Sequence, residues 1–151
     1  MSNEPFAHRV RELRDSWAER RLVRTLAAAH DHHSQLQLLE TLHRWASESC
    51  EDVARVYGEG VAAWVDPIGF EAADGAASFH AMVAGYTVIF LLWSPDVAAS
   101  RWSVTATVLP GGAQDAAIAG PERRHGHWTR GRIEDLLLGL LSAHERAAAA
   151  R

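Results

Sequence analysis

The sequence predicts an α+β fold, in which an N-terminal helical pair and a C-terminal helix pack on an antiparallel sheet of four to five strands. Apolar residues recur every three or four positions over residues 1–58 and 129–148, which is the spacing of one helix face. Between these segments, residues 60–120 hold short apolar or alternating runs joined by short turns, a pattern typical of antiparallel strands. A chain of 151 residues can bury a core of its own, so we expect a single domain.

Two stretches of helical periodicity make up the first 58 residues. The first has an apolar stripe at spacings of four, three and four residues, formed by Phe6, Val10, Leu13 and Trp17. After a shift, the stripe continues with Leu22, Val23 and Leu26. The second, over residues 34–57, has an apolar face formed by Leu39, Leu42, Ala46, Val53 and Tyr57. Asp31 or Ser34 can accept a hydrogen bond from the free amides of a new helix, so we interpret the segment as a helical hairpin, with one long bent helix as the alternative.

The strands are predicted from a change of period after Gly58. Residues 102–108 alternate large or apolar side chains with Ser and Thr, which is the rhythm of a strand with one buried face. The dipeptide Ala84-Gly85 is short enough for a tight turn between two strands. The other predicted strands cover residues 61–65, 78–83, 86–93 and 114–119. Their short connections favour antiparallel neighbours.

The C-terminal helix has a clear beginning. Thr129 fits its N-cap, and Trp128 and Ile133 then occupy the two positions that meet in a hydrophobic staple. A core stripe follows, formed by Ile133, Leu136, Leu137, Leu140 and Leu141. Capping and packing therefore explain Trp128 and Thr129 without any function.

Charge is distributed unevenly along the chain, whose net charge is −4. Residues 1–30 have six Arg and four acidic residues, residues 31–100 have two and ten, and residues 101–151 have seven and five. Such segregation favours charge-complementary contact with a partner or another copy. The N-terminus lacks an apolar export signal, and the longest apolar run, of about 13 residues, is too short to span a bilayer. We therefore expect a cytoplasmic protein that does not enter the membrane.

The sequence offers no credible catalytic set, so an enzyme is not the favoured class. Cys50, the single cysteine, lies among Glu48, Glu51 and Asp52, whose charge disfavours the thiolate. Neither a GxSxG elbow nor a Walker loop occurs. We expect no catalytic residue and no cofactor.

The basic segment before the last helix is the candidate site. Arginine forks and free helix amides hold phosphate or carboxylate, and the residues that could do so here are Arg123, Arg124, His125, His127, Arg130 and Arg132. Alternatively, these arginines pair with the acidic middle of the same or another chain. His125 and His127 are weak metal candidates, about 6.6 Å apart if extended, but neighbouring arginines disfavour a cation and we expect no metal. Nucleic acid is not expected, because the protein is acidic and Trp128 belongs to the staple.

The predicted strand over residues 86–93 is apolar on both faces, and one of its faces is the candidate interaction surface. This face is formed by Thr87, Ile89, Leu91 and Trp93. A sheet face of this kind is either covered by helices or left for a partner. The sequence thus predicts a small non-enzymatic interaction or regulatory module that self-associates as a homodimer. The alternative is a small-ligand-binding protein or enzyme that uses the basic segment for an anionic group.

Overall fold

Two helices pack against one face of an antiparallel sheet in the computed structural model, which describes residues 4–71, 75–94, 101–109, 122–124 and 127–151. The helices are α1 (Glu4–Tyr57) and α2 (Arg130–Ala149), and a short 3-10 turn (Gly58–Gly60) follows α1. The strands are β1 (Ala63–Val65), β2 (Gly69–Phe70), β3 (Ala77–Val83), β4 (Tyr86–Trp93), β5 (Ser103–Leu109) and β6 (Glu122–Arg124). The predicted α+β class is confirmed.

The first third of the chain forms one long helix, which was the alternative to the predicted helical pair. α1 runs unbroken for 54 residues, about 81 Å at roughly 1.5 Å per residue. Its sequence has no glycine or proline between Pro5 and Gly58, so nothing in the backbone forces a turn. Gly58, at φ +62°, ends the helix where the sequence predicted its end.

Asp31, predicted to cap a second helix, instead fastens the middle of α1 to the sheet. Its carboxylate accepts a hydrogen bond from the backbone N–H of Trp102 at 2.6 Å, just before β5. The Nε2 atom of His32 lies 2.8 Å from the carbonyl oxygen of Gly75, and its ring meets that of Trp102 edge-on at 4.5 Å. The polar segment between the two apolar stripes is therefore an anchor within one helix.

The sheet has the order β1-β3-β4-β5-β6. β2 pairs with the same edge of β3 as β1 does, but at the other end of that strand. The predicted strands at 78–83, 86–93 and 102–108 correspond to β3, β4 and β5 within one residue at each end, and that at 61–65 contains the shorter β1. The sequence did not indicate β2 and β6, which have only two and three residues. The strand predicted at 114–119 lies outside the described residues.

The buried face of the sheet carries a row of aromatic rings beneath the helices. Phe79 on β3 and Phe90 on β4 are register partners, and their rings stack at 4.7 Å. His43 of α1 meets Phe79 edge-on at 5.0 Å, and Trp128 meets Phe90 at 5.6 Å. Such pairs contribute about 0.5–1.5 kcal/mol each beyond their burial. They link the residues of α1, the sheet and the segment before α2 into one core.

Both helices cover the same sheet face, and the other face carries the predicted interaction surface. On β4, Val88, Phe90 and Leu92 are buried, whereas Thr87, Ile89, Leu91 and Trp93 are half-buried. The outer face is nevertheless crowded, because Thr105 opposite Leu91 is only 3% exposed. Its apolar groups are thus less available than the two-faced strand alone suggested.

The backbone conformation of the turn between β3 and β4 can be tested by substitution. Ala84 and Gly85 both have positive φ, +54° and +86°, as a two-residue hairpin turn of this kind requires. A left-handed alanine is strained by about 1–2 kcal/mol, whereas asparagine tolerates that conformation. Ala84→Asn should therefore raise the free energy of unfolding by about 0.5–1 kcal/mol in urea titration. Gly85→Ala in the same turn should lower it, and a loss of stability in Ala84→Asn would contradict the assigned turn.

Candidate functional site

The structure divides the basic segment between a strand, a short extended stretch and the first turn of α2. Arg123 and Arg124 belong to β6, where they pair with Thr107 and Ala106 of β5. His125 lies outside the described residues. His127 is exposed and precedes Trp128. Only part of the predicted set can therefore be placed beside the helix start.

The two arginines in the first turn of α2 are engaged by groups of the protein. Arg130 donates to Glu48 of α1 at 2.6 Å and to Glu134 at 3.2 Å, and these hydrogen bonds, Glu134 first, raise the pKa of its guanidinium. Arg132 lies over the ring of Trp128 at 4.1 Å and donates to the carbonyl oxygen of His127 at 2.8 Å. Arg130 thus pairs with the acidic middle of the chain, while Arg132 closes the helix start.

The first turn of α2 is capped as the sequence predicted. The hydroxyl of Thr129 accepts a hydrogen bond from the backbone N–H of Arg132 at 3.1 Å. Trp128 and Ile133 are both buried in the core, and the indole N–H of Trp128 donates to the carbonyl oxygen of Val104 at 3.2 Å. The tryptophan is committed to structure and is not available for stacking on a base.

Cys50 has the environment of a core residue. Its side chain is 2% exposed, and burial raises the pKa of its thiol to about 11. The reactive thiolate is therefore scarce at neutral pH.

Among the described residues, no group of three or more His, Cys, Asp or Glu side chains is arranged to hold a metal ion.

The most conspicuous exposed surface is the first part of α1, residues 4–27, which we call the N-terminal arm. From Pro5 to Ala27 every residue is exposed except the half-buried Ala7, and the first contacts with the rest of the fold begin near Ala28. The predicted stripe lies here: Phe6, Val10, Leu13 and Trp17 are 67%, 49%, 61% and 49% exposed. The residues expected to pack on the sheet instead extend beyond it.

The stripe of the arm lies on the same side of α1 as the residues that pack on the sheet. Phe6, Val10 and Trp17 each precede a residue of the core-facing side by 36 positions, about ten turns at roughly 3.6 residues per turn. Their counterparts are Leu42, Ala46 and Val53. The arm is therefore an extension of the packing face of α1 past the end of the sheet.

A second apolar surface, the α1–α2 groove, lies between the last turns of α1 and the middle of α2. It is an open depression of about 530 Å³, and its lining includes Asp52, Val53, Val56, Leu138, Leu141 and Glu145. A depression lined also by Ser49 and Glu134 continues it towards the start of α2. Val56 and Leu138 are 82% and 60% exposed, so the groove presents large hydrophobic side chains to solvent.

Sequence reasoning missed this groove. Val56 and Leu138 fall outside the stripes predicted to form the core. The only signal in the sequence was a valine and a leucine on the polar sides of two amphipathic helices, and nothing showed that those helices are neighbours.

Comparison with known proteins finds no family model, no curated protein and no solved structure that matches this chain. In the described part of the chain, neither helix combines the length and apolar character needed to cross a bilayer.

A hydrogen bond at the end of the groove gives a test of its geometry. Tyr57 donates its hydroxyl proton to Glu145 at 2.9 Å, and this bond, followed by burial and the charge of Glu145, raises the pKa of the phenol. The bond is therefore present at neutral pH and is lost as pH rises through the raised pKa. With Tyr86→Phe leaving one tyrosine, Glu145→Gln should lower the pKa of Tyr57 in an ultraviolet titration.

Asp135→Asn is the matched control, because Asp135 is an exposed acid of α2 outside the groove lining. It should leave the titration of Tyr57 almost unchanged. Equal shifts in the two variants would show that Tyr57 responds to overall charge and not to the Glu145 bond.

Proposed function

We propose that this protein is a non-enzymatic interaction module that self-associates through its N-terminal arm. The observation that carries the proposal is the stripe of Phe6, Val10, Leu13 and Trp17, which is at least 49% exposed along the arm. Contiguous exposed apolar surface on a soluble protein marks an interaction site. The arrangement suits recognition of another chain and supplies no chemistry of its own.

The arm needs a partner for its own stability. Helical stability in proteins comes mainly from packing an amphipathic face, and the apolar stripe of the arm is largely exposed. The guanidinium of Arg20 lies over the ring of Trp17 at 4.9 Å, and the four stripe residues nevertheless stay at least 49% exposed. Burial of each such side chain contributes about 1.5–3 kcal/mol, so a partner that covers the stripe both stabilises the helix and removes its hydrophobic surface from water.

The outer face of the sheet is the weaker candidate for the same association. Its residues Thr87, Ile89, Leu91 and Trp93 are half-buried, whereas the stripe of the arm is largely exposed. The indole nitrogen of Trp93 is buried without a hydrogen-bond partner among the described residues. Free hydrophobic area therefore favours the arm over the sheet as the contact surface.

The other predicted classes receive less support from the same residues. Arg130 binds two carboxylates of its own chain, and these compete with an external anion for its N–H donors. Cys50 is buried with a raised pKa, which suits a structural thiol. We propose the cytoplasm as the compartment, since one cysteine per chain leaves no internal disulfide to maintain.

The proposal predicts a specific loss of self-association. The wild type should sediment as a dimer, and the double variant Leu13→Gln/Trp17→Gln should weaken the dimer by about 100-fold or more, because two large apolar side chains are lost from each copy. Sedimentation equilibrium over a range of concentrations measures this change. The fold should persist, since both side chains lie beyond the end of the sheet, outside the core, and are 61% and 49% exposed.

Leu22→Gln/Val23→Gln is the matched control. These two residues are equally apolar, lie in the same arm and are 58% and 65% exposed, but they fall on the opposite side of the helix from Trp17. They should leave the dissociation constant nearly unchanged. A wild type that is monomeric at every concentration would refute self-association.

A further inference from the structure

We infer that the N-terminal arm of one copy binds in the α1–α2 groove of a second copy, in a reciprocal two-fold dimer. This inference rests on the proposed function and names its partner and its surface. The stripe of the arm is an apolar strip along one side of a helix, and the groove is an open apolar depression between two helices. An amphipathic helix laid in a hydrophobic groove is a common mode of recognition, with anchors at spacings of three and four residues.

The groove is apolar where the stripe would lie. Its exposed floor and walls include Val56 at 82% and Leu138 at 60% exposure, with Val53 and Leu141 between them. An open groove of about 530 Å³ has room for side chains of the size of Leu13 and Trp17. Two surfaces that are each unfavourable in water would thus cover one another.

The charges beside the two surfaces are complementary. Arg9 and Arg20 border one side of the stripe, and Arg14 and Arg21 border the other, at three or four residues from the stripe positions. The arm as a whole has six Arg and four acidic residues.

The charged residues that line the groove are all acidic: Asp52 on the α1 side, and Glu134 and Glu145 on the α2 side. Asp52 already accepts from Arg55 at 2.9 Å, and Glu134 from Arg130. A carboxylate has about four acceptor sites and can bind a second guanidinium. Basic residues on both sides of the stripe therefore match acidic residues on both sides of the groove.

The arm cannot occupy the groove of its own chain. Trp17, the stripe residue nearest to the groove, lies 32 positions before Ser49, about 48 Å away along the axis at roughly 1.5 Å per residue. α1 is one unbroken helix without glycine or proline in between, so the arm has no hinge on which to fold back. The occupant must come from another molecule.

A second copy provides that occupant in a closed arrangement. If the arm of one copy lies antiparallel to α1 of its partner, the same rotation places the partner's arm in the first groove. The result is two identical contacts related by a two-fold axis, the commonest symmetry of protein dimers. Both exposed stripes and both grooves are then covered, so the assembly stops at two.

Mixing of two variants tests this inference. One protein carries the arm substitutions Leu13→Gln/Trp17→Gln, and the other carries the groove substitutions Val56→Gln/Leu138→Gln, whose side chains are exposed and outside the core. Each variant alone should dimerise about 100-fold more weakly than the wild type, because both of its contacts are damaged. In an equimolar mixture, the intact arm of the groove variant can bind the intact groove of the arm variant. A mixed dimer should therefore form at concentrations at which each variant alone stays monomeric.

The readout is the mass and composition of the species, measured by light scattering and by native mass spectrometry of the mixture. Trp64→Gln/Phe70→Gln is the matched control for the groove variant, because these residues are 49% and 65% exposed but lie on the sheet. This control should dimerise like the wild type. The backbone amides of Leu39 and Leu42 should exchange as slowly in each variant as in the control, which shows that the core of the fold is retained.

Three outcomes would overturn the inference. A groove variant that dimerises as well as the wild type would mean that the arm pairs with another arm or with the sheet, and self-association itself would survive. A mixture that stays monomeric would exclude the arm-to-groove contact. A monomeric wild type whose arm binds vesicles of phosphatidylcholine and phosphatidylserine would show a membrane surface as the occupant, and the proposed function would fail with the inference.

Discussion

The apolar face of α1 runs past the end of the sheet that covers it. From Leu39 onwards this face is buried against the sheet and α2, whereas from Phe6 to Trp17 it is exposed. Because no glycine or proline interrupts the helix, the arm cannot turn back to find cover on its own molecule. A hydrophobic helix face in water destabilises the state that exposes it. Because α1 is longer than the sheet that covers it, burial of the exposed part of its apolar face against another molecule is favourable.

The anchor at the middle of α1 makes the mismatch a fixed feature of the fold. Asp31 and His32 bond to the segments before β5 and β3, at the point where contact between helix and sheet begins. A helix held there cannot slide along the sheet to cover more of its stripe. The arm is thereby a projecting element of defined length, while the packing of α2 on the other half of α1 creates a groove whose hydrophobic side chains also face solvent.

The sequence predicted the parts of the fold that depend on local pattern. Alternation gave β5, the two-residue turn gave the hairpin of β3 and β4, and the capping pattern gave the start of α2 at Thr129. It could not distinguish one helix from two, because Asp31 is an equally good cap and tertiary acceptor, and the choice depends on Trp102, which is distant in sequence. The exposure of the stripe and the presence of the groove could not be predicted from the sequence for the same reason. Periodicity shows that a helix face is apolar, but it does not show whether another element covers that face.

Hydrogen exchange of the arm tests most directly whether another molecule covers its stripe. The backbone amides of residues 6–17 should be exchanged slowly at high protein concentration and quickly at high dilution, while those of Leu39 and Leu42 stay protected at both. Mass spectrometry of peptides from the two regions measures this difference within one sample. Rapid exchange of the arm at every concentration, or protection that does not depend on concentration, would contradict a stripe that is buried by association with a second molecule.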